Sequence, residues 1–219
     1  MRSVLRGSPL VYRILRVIAF IVAKVSSRLE VVGLEHLPEE PPYLLVTNHL
    51  SALDSPLLLY VLPHTIRPFV ASKHRSNPLY APLLEAGGVV WVRRGEIDRR
   101  ALREALAVLA RGEVLGVAPE GTRARESHAL QEGKAGAAYL ATRADVPIVP
   151  VGIVGTENIA HNLRRLRRSQ VRMVFGEPFR LPESGHVRTQ RLQEYTDLIM
   201  HRIAELLPEA YRGVYAKAI

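Results

Sequence analysis

The 219-residue sequence contains no cysteine, which excludes disulfides, thiolate metal sites and a cysteine nucleophile. Aromatic residues make up only 6% of the chain, and none is interleaved with the basic clusters as single-strand nucleic-acid binding would favour. Long apolar runs are also missing near the N-terminus, where the longest uncharged stretch of the apolar segment 10–25 is Val17–Ala23. A spanning helix needs about 20 such residues, so we expect none there.

Acidic residues are outnumbered by basic ones, 21 against 30, which gives the chain a formal charge of +9. An excess of this size favours polyanionic partners, namely nucleic acid, an anionic membrane surface or phosphorylated small molecules. Composition does not choose among these three. The scarcity of aromatics beside the basic clusters disfavours nucleic acid, and we expect no nucleic-acid partner.

The segment 10–25 is apolar apart from Arg13, Arg16 and Lys24. On a helix these three residues and Phe20 lie close to one stripe, while the other faces are aliphatic. This pattern is typical of a helix that lies in the membrane interface, although a helix packed on the domain with its charges in solvent would share it. No small-residue cleavage site follows cleanly, which disfavours a signal peptide. We predict that residues 1–30 form an N-terminal amphipathic, membrane-associating helix.

Helices alternate with short apolar strands through residues 31–219, which predicts an α/β domain of three layers with a mostly parallel central sheet flanked by helices. In such sheets, ligands bind at the carboxyl ends of the strands. Strands are predicted over 43–47, 67–71, 88–92, 114–118, 147–154 and 171–175, and helices over 51–62, 78–85, 98–110, 136–143 and 189–207.

His49 and Asp54 follow the first of these strands, with His49 in a loop and Asp54 in the first turn of a helix. The turn between them allows the carboxylate to accept a hydrogen bond from imidazole Nδ1, leaving Nε2 as a base. Such a pair suits removal of a proton from a hydroxyl that attacks an acyl carbon. Alternatively, Asp54 belongs to a capping box with Ser51 and His49 is an ordinary loop residue.

Three further loops carry basic residues or glycines beside predicted strands and helices: Arg93-Arg94, Pro119–Arg123, and Lys134 between Gly133 and Gly136. Arginine forks, glycine-exposed backbone N–H groups and a helix start all suit phosphate binding. Taken singly, each loop is explained as well by solvated surface charge. A second basic cluster, Arg164, Arg165, Arg167 and Arg168, reads equally as a membrane-facing patch or as solvated charge.

Together these segments resemble the four motifs of the glycerolipid acyltransferases, most closely the bacterial 1-acylglycerol-3-phosphate (lysophosphatidic acid) acyltransferases. The resemblance covers roughly residues 30–180, and the motifs occur in the family's order. They are Asn48-His49-x-Ser51-x-x-Asp54, then Gly87 with Arg93, then Pro119-Glu120-Gly121-Thr122-Arg123, then Val146-Pro147-Ile148-Val149-Pro150-Val151.

The resemblance implies that His49 is the general base on the acceptor hydroxyl and that Asp54 orients it. It also implies an acceptor phosphate site formed by Arg93, Glu120, Gly121, Thr122, Arg123 and Lys134, in which Glu120 structures the loop or touches the glycerol. Two positions depart from the family pattern, since Ala118 and Gly133 replace residues that are usually large. These departures leave the chemistry intact but alter the shape expected of the pocket.

The activity implied is transfer of a fatty acyl chain from acyl-CoA or acyl carrier protein to the sn-2 hydroxyl of 1-acylglycerol-3-phosphate, giving phosphatidic acid. No Ser or Cys lies in a nucleophile elbow, so direct transfer without an acyl-enzyme is expected. No cofactor or metal is expected, because the eight His residues show no ligand-like spacing. The expected location is the cytoplasmic face of the membrane, as a peripheral or monotopic protein.

Two alternatives stay open. One is an acyltransferase for another acceptor, such as glycerol-3-phosphate or a lyso-aminolipid. The other is a non-catalytic lipid-binding relative, which would be expected to have lost His49 or Asp54.

Overall fold

Short apolar segments form a seven-stranded sheet, and the segments between them form helices on both of its faces. The computed structural model describes residues 9–79, 81–124 and 127–216. The strands are β1 (Ser27–Val32), β2 (Leu44–Thr47), β3 (Ile66–Ala71), β4 (Val90–Val92), β5 (Val114–Val117), β6 (Ile148–Val154) and β7 (Ser169–Phe175). The helices are α1 (Pro9–Ser26), α2 (Asp54–Val61), α3 (Ala81–Ala86), α4 (Arg99–Ala110), α5 (Gly136–Ala144), α6 (Ile159–Leu163) and α7 (Thr189–Glu205).

The strand order is β1-β7-β6-β2-β5-β3-β4. Every pair is parallel except β6 and β7, which run antiparallel. The predicted α/β class with a mostly parallel sheet and helices on both faces is therefore confirmed. β2 lies between β5 and β6 and is buried at all four positions, so the loop that follows it opens at the centre of the sheet.

Alternation along β2 divides the core into two apolar clusters, one on each face of the sheet. Leu44 and Val46 face α4, α5 and α7, whereas Leu45 faces the side covered by α1, α2 and α6. Burying one such leucine completely stabilises the fold by about 1.5–3 kcal/mol. The sheet is thereby fixed from both sides, which gives the loops at its carboxyl edge a rigid base.

The structure differs from the sequence prediction at the N-terminal end of the domain. β1 was not predicted, and it pairs in parallel with β7 from Ser27 to Val32. The predicted boundary at residue 30 therefore falls inside a strand of the sheet, and the N-terminal helix ends at Ser26. Residues 1–8 of the predicted N-terminal segment lie outside the described residues.

The helix α1 packs on the domain through one face and exposes an apolar face on the other side. Ala19 and Ala23 are buried, and Tyr12 Oη donates a hydrogen bond to His64 O at 3.1 Å. The outward stripe consists of Leu10, Ile14, Val17, Ile18, Ile21 and Val25, all exposed. No helix within the described part of the chain combines the length and apolarity needed to cross a bilayer.

Candidate active site

His49 and Asp54 form a hydrogen-bonded pair where β2 ends and α2 begins. His49 Nδ1 lies 2.8 Å from Asp54 Oδ2, and the same oxygen accepts the N–H groups of Leu50 and Ser51, each at 2.9 Å. The contact with Ser51 is the half of a capping box in which the acidic side chain reaches back to the start of the turn. Because Nδ1 is engaged by the carboxylate, Nε2 is the imidazole nitrogen left for a substrate.

The second oxygen of Asp54 is held by a residue that the sequence did not point to. Thr156 Oγ1 donates to Asp54 Oδ1 at 2.6 Å, and only 1% of Thr156 is exposed to solvent. Thr156 follows Gly155 at the end of β6, 102 residues beyond Asp54. The carboxylate is therefore fixed by both of its oxygens before any substrate binds.

Asn48 ties the loop after β2 to the neighbouring strand β6. Its side-chain Nδ2 donates to Ile153 O and its Oδ1 accepts from Ile153 N, both at 2.8 Å. A paired amide of this kind replaces two ladder hydrogen bonds beyond the end of β2. It brings the loop with His49 and the loop with Thr156 into one rigid unit.

Glu120 supports His49 from the backbone side. Its Oε1 accepts the N–H of His49 at 3.1 Å and its Oε2 accepts the N–H of Gln131 at 3.2 Å. Burial raises the pKa of Glu120 to about 7, the charge of Asp54 adds to this rise, and the two N–H groups oppose it. Glu120 is 2% exposed, so its buried carboxyl group links the backbone of His49 to that of Gln131.

A cavity of about 950 Å³ opens beside the His49–Asp54 pair. Most of its wall is apolar and comes from strands and helices on both sides of the sheet: Leu45, Leu58, Ile66, Pro68, Phe69, Ala101, Leu102, Val117, Tyr139 and Leu192. Its polar lining includes His49, Asp54, Arg93, Arg94 and Lys134. An apolar space with a cationic part suits a molecule that has a hydrocarbon chain and an anionic head.

Two of the predicted phosphate-binding residues are brought together in this cavity. Gly121 has a φ of +70° and lies against Lys134, so that a Cβ at Gly121 would come within 3.2 Å of the Lys134 Nζ. Glycine meets both demands, because it adopts the left-handed conformation freely and leaves room for the ammonium group. Lys134 N in turn donates to Pro119 O at 2.9 Å, which joins the two loops.

Arg93 reaches the cavity from the loop that follows β4. Asp98 fixes its backbone, since Asp98 Oδ2 accepts the N–H of Arg93 at 3.0 Å while Oδ1 caps α4 through the N–H of Ala101 at 3.0 Å. These N–H groups hold the pKa of Asp98 below its ordinary value. The Arg93 Nε lies 3.0 Å from Glu96 and 3.6 Å from Asp98. The side chain is 65% exposed, so an anion can also reach it from solvent.

The other predicted phosphate residues, Thr122 and Arg123, do not line the cavity wall. Thr122 is exposed, and Arg123 is half-buried with its Nε lacking a hydrogen-bond partner in the described part of the chain. The loop itself is anchored to the site, because Ala124 N donates to His49 O at 3.0 Å.

The two departures from the family pattern have different surroundings. Ala118 lines the cavity, so a small side chain there enlarges it. Gly133 packs under α7, where a Cβ would lie 2.6 Å from Met200 Cγ and 2.7 Å from Thr196 Cγ2. At Gly133, α7 therefore occupies the space that a large side chain would need.

Within residues 9–79, 81–124 and 127–216, no group of three or more His, Cys, Asp or Glu side chains is arranged to hold a metal ion.

The chain is similar to known acyltransferases in sequence and in fold. The family model described as Acyltransferase matches residues 28–154. The 1-acyl-sn-glycerol-3-phosphate acyltransferase of Bacillus subtilis is 23% identical over 85% of this chain and 92% of its own length. The probable enzyme of the same name from Mycoplasma pneumoniae is 30% identical over 74% of this chain, and the human alpha form is 35% identical over 57%. This chain spans 61% and 44% of those two proteins, respectively.

Among solved structures, the crystal structure of the 1-acyl-sn-glycerophosphate (LPA) acyltransferase PlsC from Thermotoga maritima superposes with a TM-score of 0.69. It is 25% identical, and the match covers 89% of this chain and 79% of that one. The family model spans more than half of the chain and includes the loops with His49, Asp54, Arg93 and Glu120. The protein therefore belongs to the acyltransferase family.

Proposed function

We propose that the protein transfers a fatty acyl chain from acyl-CoA or acyl carrier protein to the sn-2 hydroxyl of 1-acylglycerol-3-phosphate, giving phosphatidic acid. The observation that carries this proposal is the His49–Asp54 pair, 2.8 Å apart, in the lining of an apolar cavity that also contains Arg93 and Lys134. The relatives from Bacillus subtilis and Mycoplasma pneumoniae support the same acceptor, since their names state this activity.

His49 acts as the general base in this mechanism. Its Nε2 takes the proton of the acceptor hydroxyl as that oxygen attacks the thioester carbonyl, and Asp54 stabilises the imidazolium that forms. The C–S bond then breaks, and the proton on His49 passes to the departing thiolate, which restores the neutral imidazole. No acyl-enzyme is needed, because acceptor and donor react directly in a ternary complex.

The phosphate of the acceptor binds at the cationic part of the cavity. Lys134 beside Gly121 and Arg93 after β4 supply the positive charge, with Arg123 and Thr122 on the neighbouring loop as further donors. Because the cavity extends from this part into an apolar wall, it accommodates the acyl chain of a lysophospholipid in addition to the head group.

The membrane supplies this acceptor, and the exposed apolar stripe of α1 suits a helix lying in the interface. An enzyme held there meets a lipid acceptor and releases a lipid product without extracting either into water. We accordingly expect peripheral attachment to the cytoplasmic face, with the acyl donor as a substrate and no resident cofactor.

The test is thiol release from palmitoyl-CoA by the purified protein in anionic lipid. Lysophosphatidic acid, glycerol-3-phosphate and no acceptor are compared, with wild type, His49→Ala and Lys134→Gln in parallel. We expect release that requires lysophosphatidic acid, disappears in His49→Ala, and shows a raised KM for the acceptor in Lys134→Gln. Activity with glycerol-3-phosphate alone would keep the mechanism but replace the acceptor. Thiol release that persists in His49→Ala would rule out the mechanism.

A further inference from the structure

A tight turn between α6 and β7 displays one leucine among four arginines. This basic turn, Arg164–Arg168, is held by backbone hydrogen bonds from Arg165 N and Arg167 N to Asn162 O, both at 2.9 Å. Leu166 is 96% exposed and has a φ of +53°. A leucine in the left-handed region is uncommon and costs conformational energy, and its exposure contributes nothing to the core.

The charges of the basic turn are directed at solvent. Arg164, Arg165 and Arg167 are exposed, and none forms an ion pair with a carboxylate among the residues that the structure describes. Arg168 differs, because its Nε and Nη2 donate to Ser27 O at 2.9 and 2.6 Å. Three arginines are thus available to an external anion, while the fourth anchors the turn to the end of α1.

The topology brings this turn to the carboxyl edge of the sheet. β7 runs antiparallel to β6, so its first residue lies at the end of β6, on the edge where β2 leads into His49. β1 pairs in parallel with β7, with Ser27 opposite Ser169, so α1 ends beside the basic turn. The outward apolar stripe of α1 therefore leads towards the turn.

Between α1 and the turn lies a second, open cavity of about 400 Å³. Lys24, Arg28 and Arg168 line it together with Glu30, Tyr60 and Gln170, and the Glu30 carboxylate lies 3.6 Å from Arg172. A cavity of this size with three cationic residues suits a phosphate-bearing head group, and the apolar stripe beside it suits acyl chains.

We propose that the basic turn, this second cavity and the outward stripe of α1 form one docking surface for a bilayer that contains anionic phospholipid. Leu166 enters the interface, the exposed arginines contact lipid phosphates, and the cavity holds one head group. This proposal deepens the proposed function, because it states which edge of the enzyme faces the bilayer that supplies the acceptor. The edge is the one that carries His49.

The test is sedimentation of the full chain with vesicles of phosphatidylcholine, with or without phosphatidylglycerol. Wild type is expected to bind vesicles with phosphatidylglycerol. Replacing two surface charges, Arg165→Gln with Arg167→Gln, is expected to weaken binding by roughly tenfold or more. Leu166→Ser is expected to weaken it by about fivefold.

Two controls show whether a loss of vesicle binding is specific to this surface or follows from any loss of positive charge or of an exposed leucine. The double variant Arg143→Gln with Arg202→Gln removes the same charge on α5 and α7, which cover the other face of the sheet, and is expected to bind as wild type does. Leu79→Ser removes a leucine that is 86% exposed elsewhere and is likewise expected to bind normally. An equal loss in these controls, or normal binding by the turn variants, would overturn the proposal.

Leu166→Gly checks that the loss does not come from misfolding. Glycine relieves the positive φ, so this variant is expected to melt at the same or a higher temperature while binding vesicles as weakly as Leu166→Ser. Glycerophosphate in solution is expected not to displace the protein from vesicles. Full displacement by it would show a soluble phosphate site and would also overturn the proposal.

Catalysis is measured separately, with lysophosphatidic acid in neutral detergent micelles. The turn variants are expected to retain wild-type kcat there, since no residue of the turn lines the cavity with His49. If the wild-type protein is inactive both in micelles and in vesicles, the proposed function is refuted. The vesicle-binding measurements would still test the proposed docking surface in that case.

Discussion

Thr156→Val tests whether the hydrogen bond to Asp54 positions the proposed catalytic pair of His49 and Asp54. Valine has nearly the shape of threonine but no hydroxyl, so the change removes the donor without leaving a large cavity. Among the described residues, Asp54 Oδ1 accepts a hydrogen bond from Thr156 alone, whereas Oδ2 accepts from three donors that include His49. The variant therefore leaves one oxygen of a buried carboxylate without a partner.

The magnitude follows from the charge and burial of the acceptor. A hydrogen bond to a charged group is worth about 1.5–3 kcal/mol, and an orphaned buried acceptor costs a similar amount. If this cost falls on the transition state, in which Asp54 stabilises the imidazolium of His49, kcat drops by roughly tenfold to a hundredfold. The unfolding free energy is expected to fall by about 1–3 kcal/mol as well, because the same bond exists in the resting protein.

The assay is thiol release from palmitoyl-CoA with lysophosphatidic acid, and it assumes the proposed role of His49. We expect kcat to fall in Thr156→Val while the KM for the acceptor stays near the wild-type value, because Thr156 does not line the cavity. Thr156→Ser keeps the hydroxyl and is expected to restore most of kcat. A wild-type kcat in Thr156→Val, or a serine variant as impaired as the valine variant, would refute the reasoning.

Three further predictions concern residues around the cavity. The fold raises the pKa of Glu120 from 4.5 to about 7. The folded protein therefore holds this proton more tightly than the unfolded chain, and the unfolding free energy declines by roughly 3 kcal/mol as pH rises through this range. Chemical denaturation at several pH values is expected to show this decline in wild type and not in Glu120→Gln. The fold lowers the pKa of Asp98, so the ionised carboxylate stabilises the folded protein at neutral pH, and this stabilisation is lost as pH falls through the folded-state pKa. Asp98→Ala is expected to lower the unfolding free energy by about 1 kcal/mol at neutral pH, and the difference from wild type is expected to disappear in acid. Gly116 lines the apolar wall, and a Cβ there would approach Ile66 Cδ1 to 2.8 Å. In Gly116→Ala, kcat/KM for palmitoyl-CoA is expected to fall about tenfold relative to kcat/KM for octanoyl-CoA. Equal losses for both donors would contradict the assignment of this wall to an acyl chain.

Local sequence patterns predicted much of the framework because the relevant forces are local. Buried strands such as β2 and β6 are continuous apolar runs, and α4 shows the helical spacing of its inward residues. The sequence also allowed the pairing of His49 with Asp54, because a strand-to-helix turn of five residues brings the two side chains near each other. The same spacing left a capping role for Asp54 open as the alternative. Here the chain itself supplies the proximity.

Long-range contacts could not be predicted in the same way. In β1, the exposed Arg28 and Glu30 alternate with the half-buried Leu29 and Val31. This alternation is short and follows directly on the apolar helix α1, so most of the strand fell within the predicted N-terminal helical segment 1–30. The strand β7 was predicted over 171–175, but its antiparallel direction was not, because a helical connection usually returns the chain for a parallel crossover. The connection through α6 instead stays on one edge of the sheet.

Thr156 shows most clearly what limited prediction of the site. Its hydroxyl reaches Asp54 because β6 pairs with β2, with Val151 opposite Thr47, and continues to Val154, beyond the end of β2. Gly155 then turns the chain at a φ of +90°, and a Cβ there would lie 2.0 Å from Gln170 O. The approach of Thr156 to Asp54 thus depends on strand order, register and a glycine turn at once. No single segment encodes all three, so the residue that completes the hydrogen bonding of Asp54 became recognisable only once the sheet had been assembled.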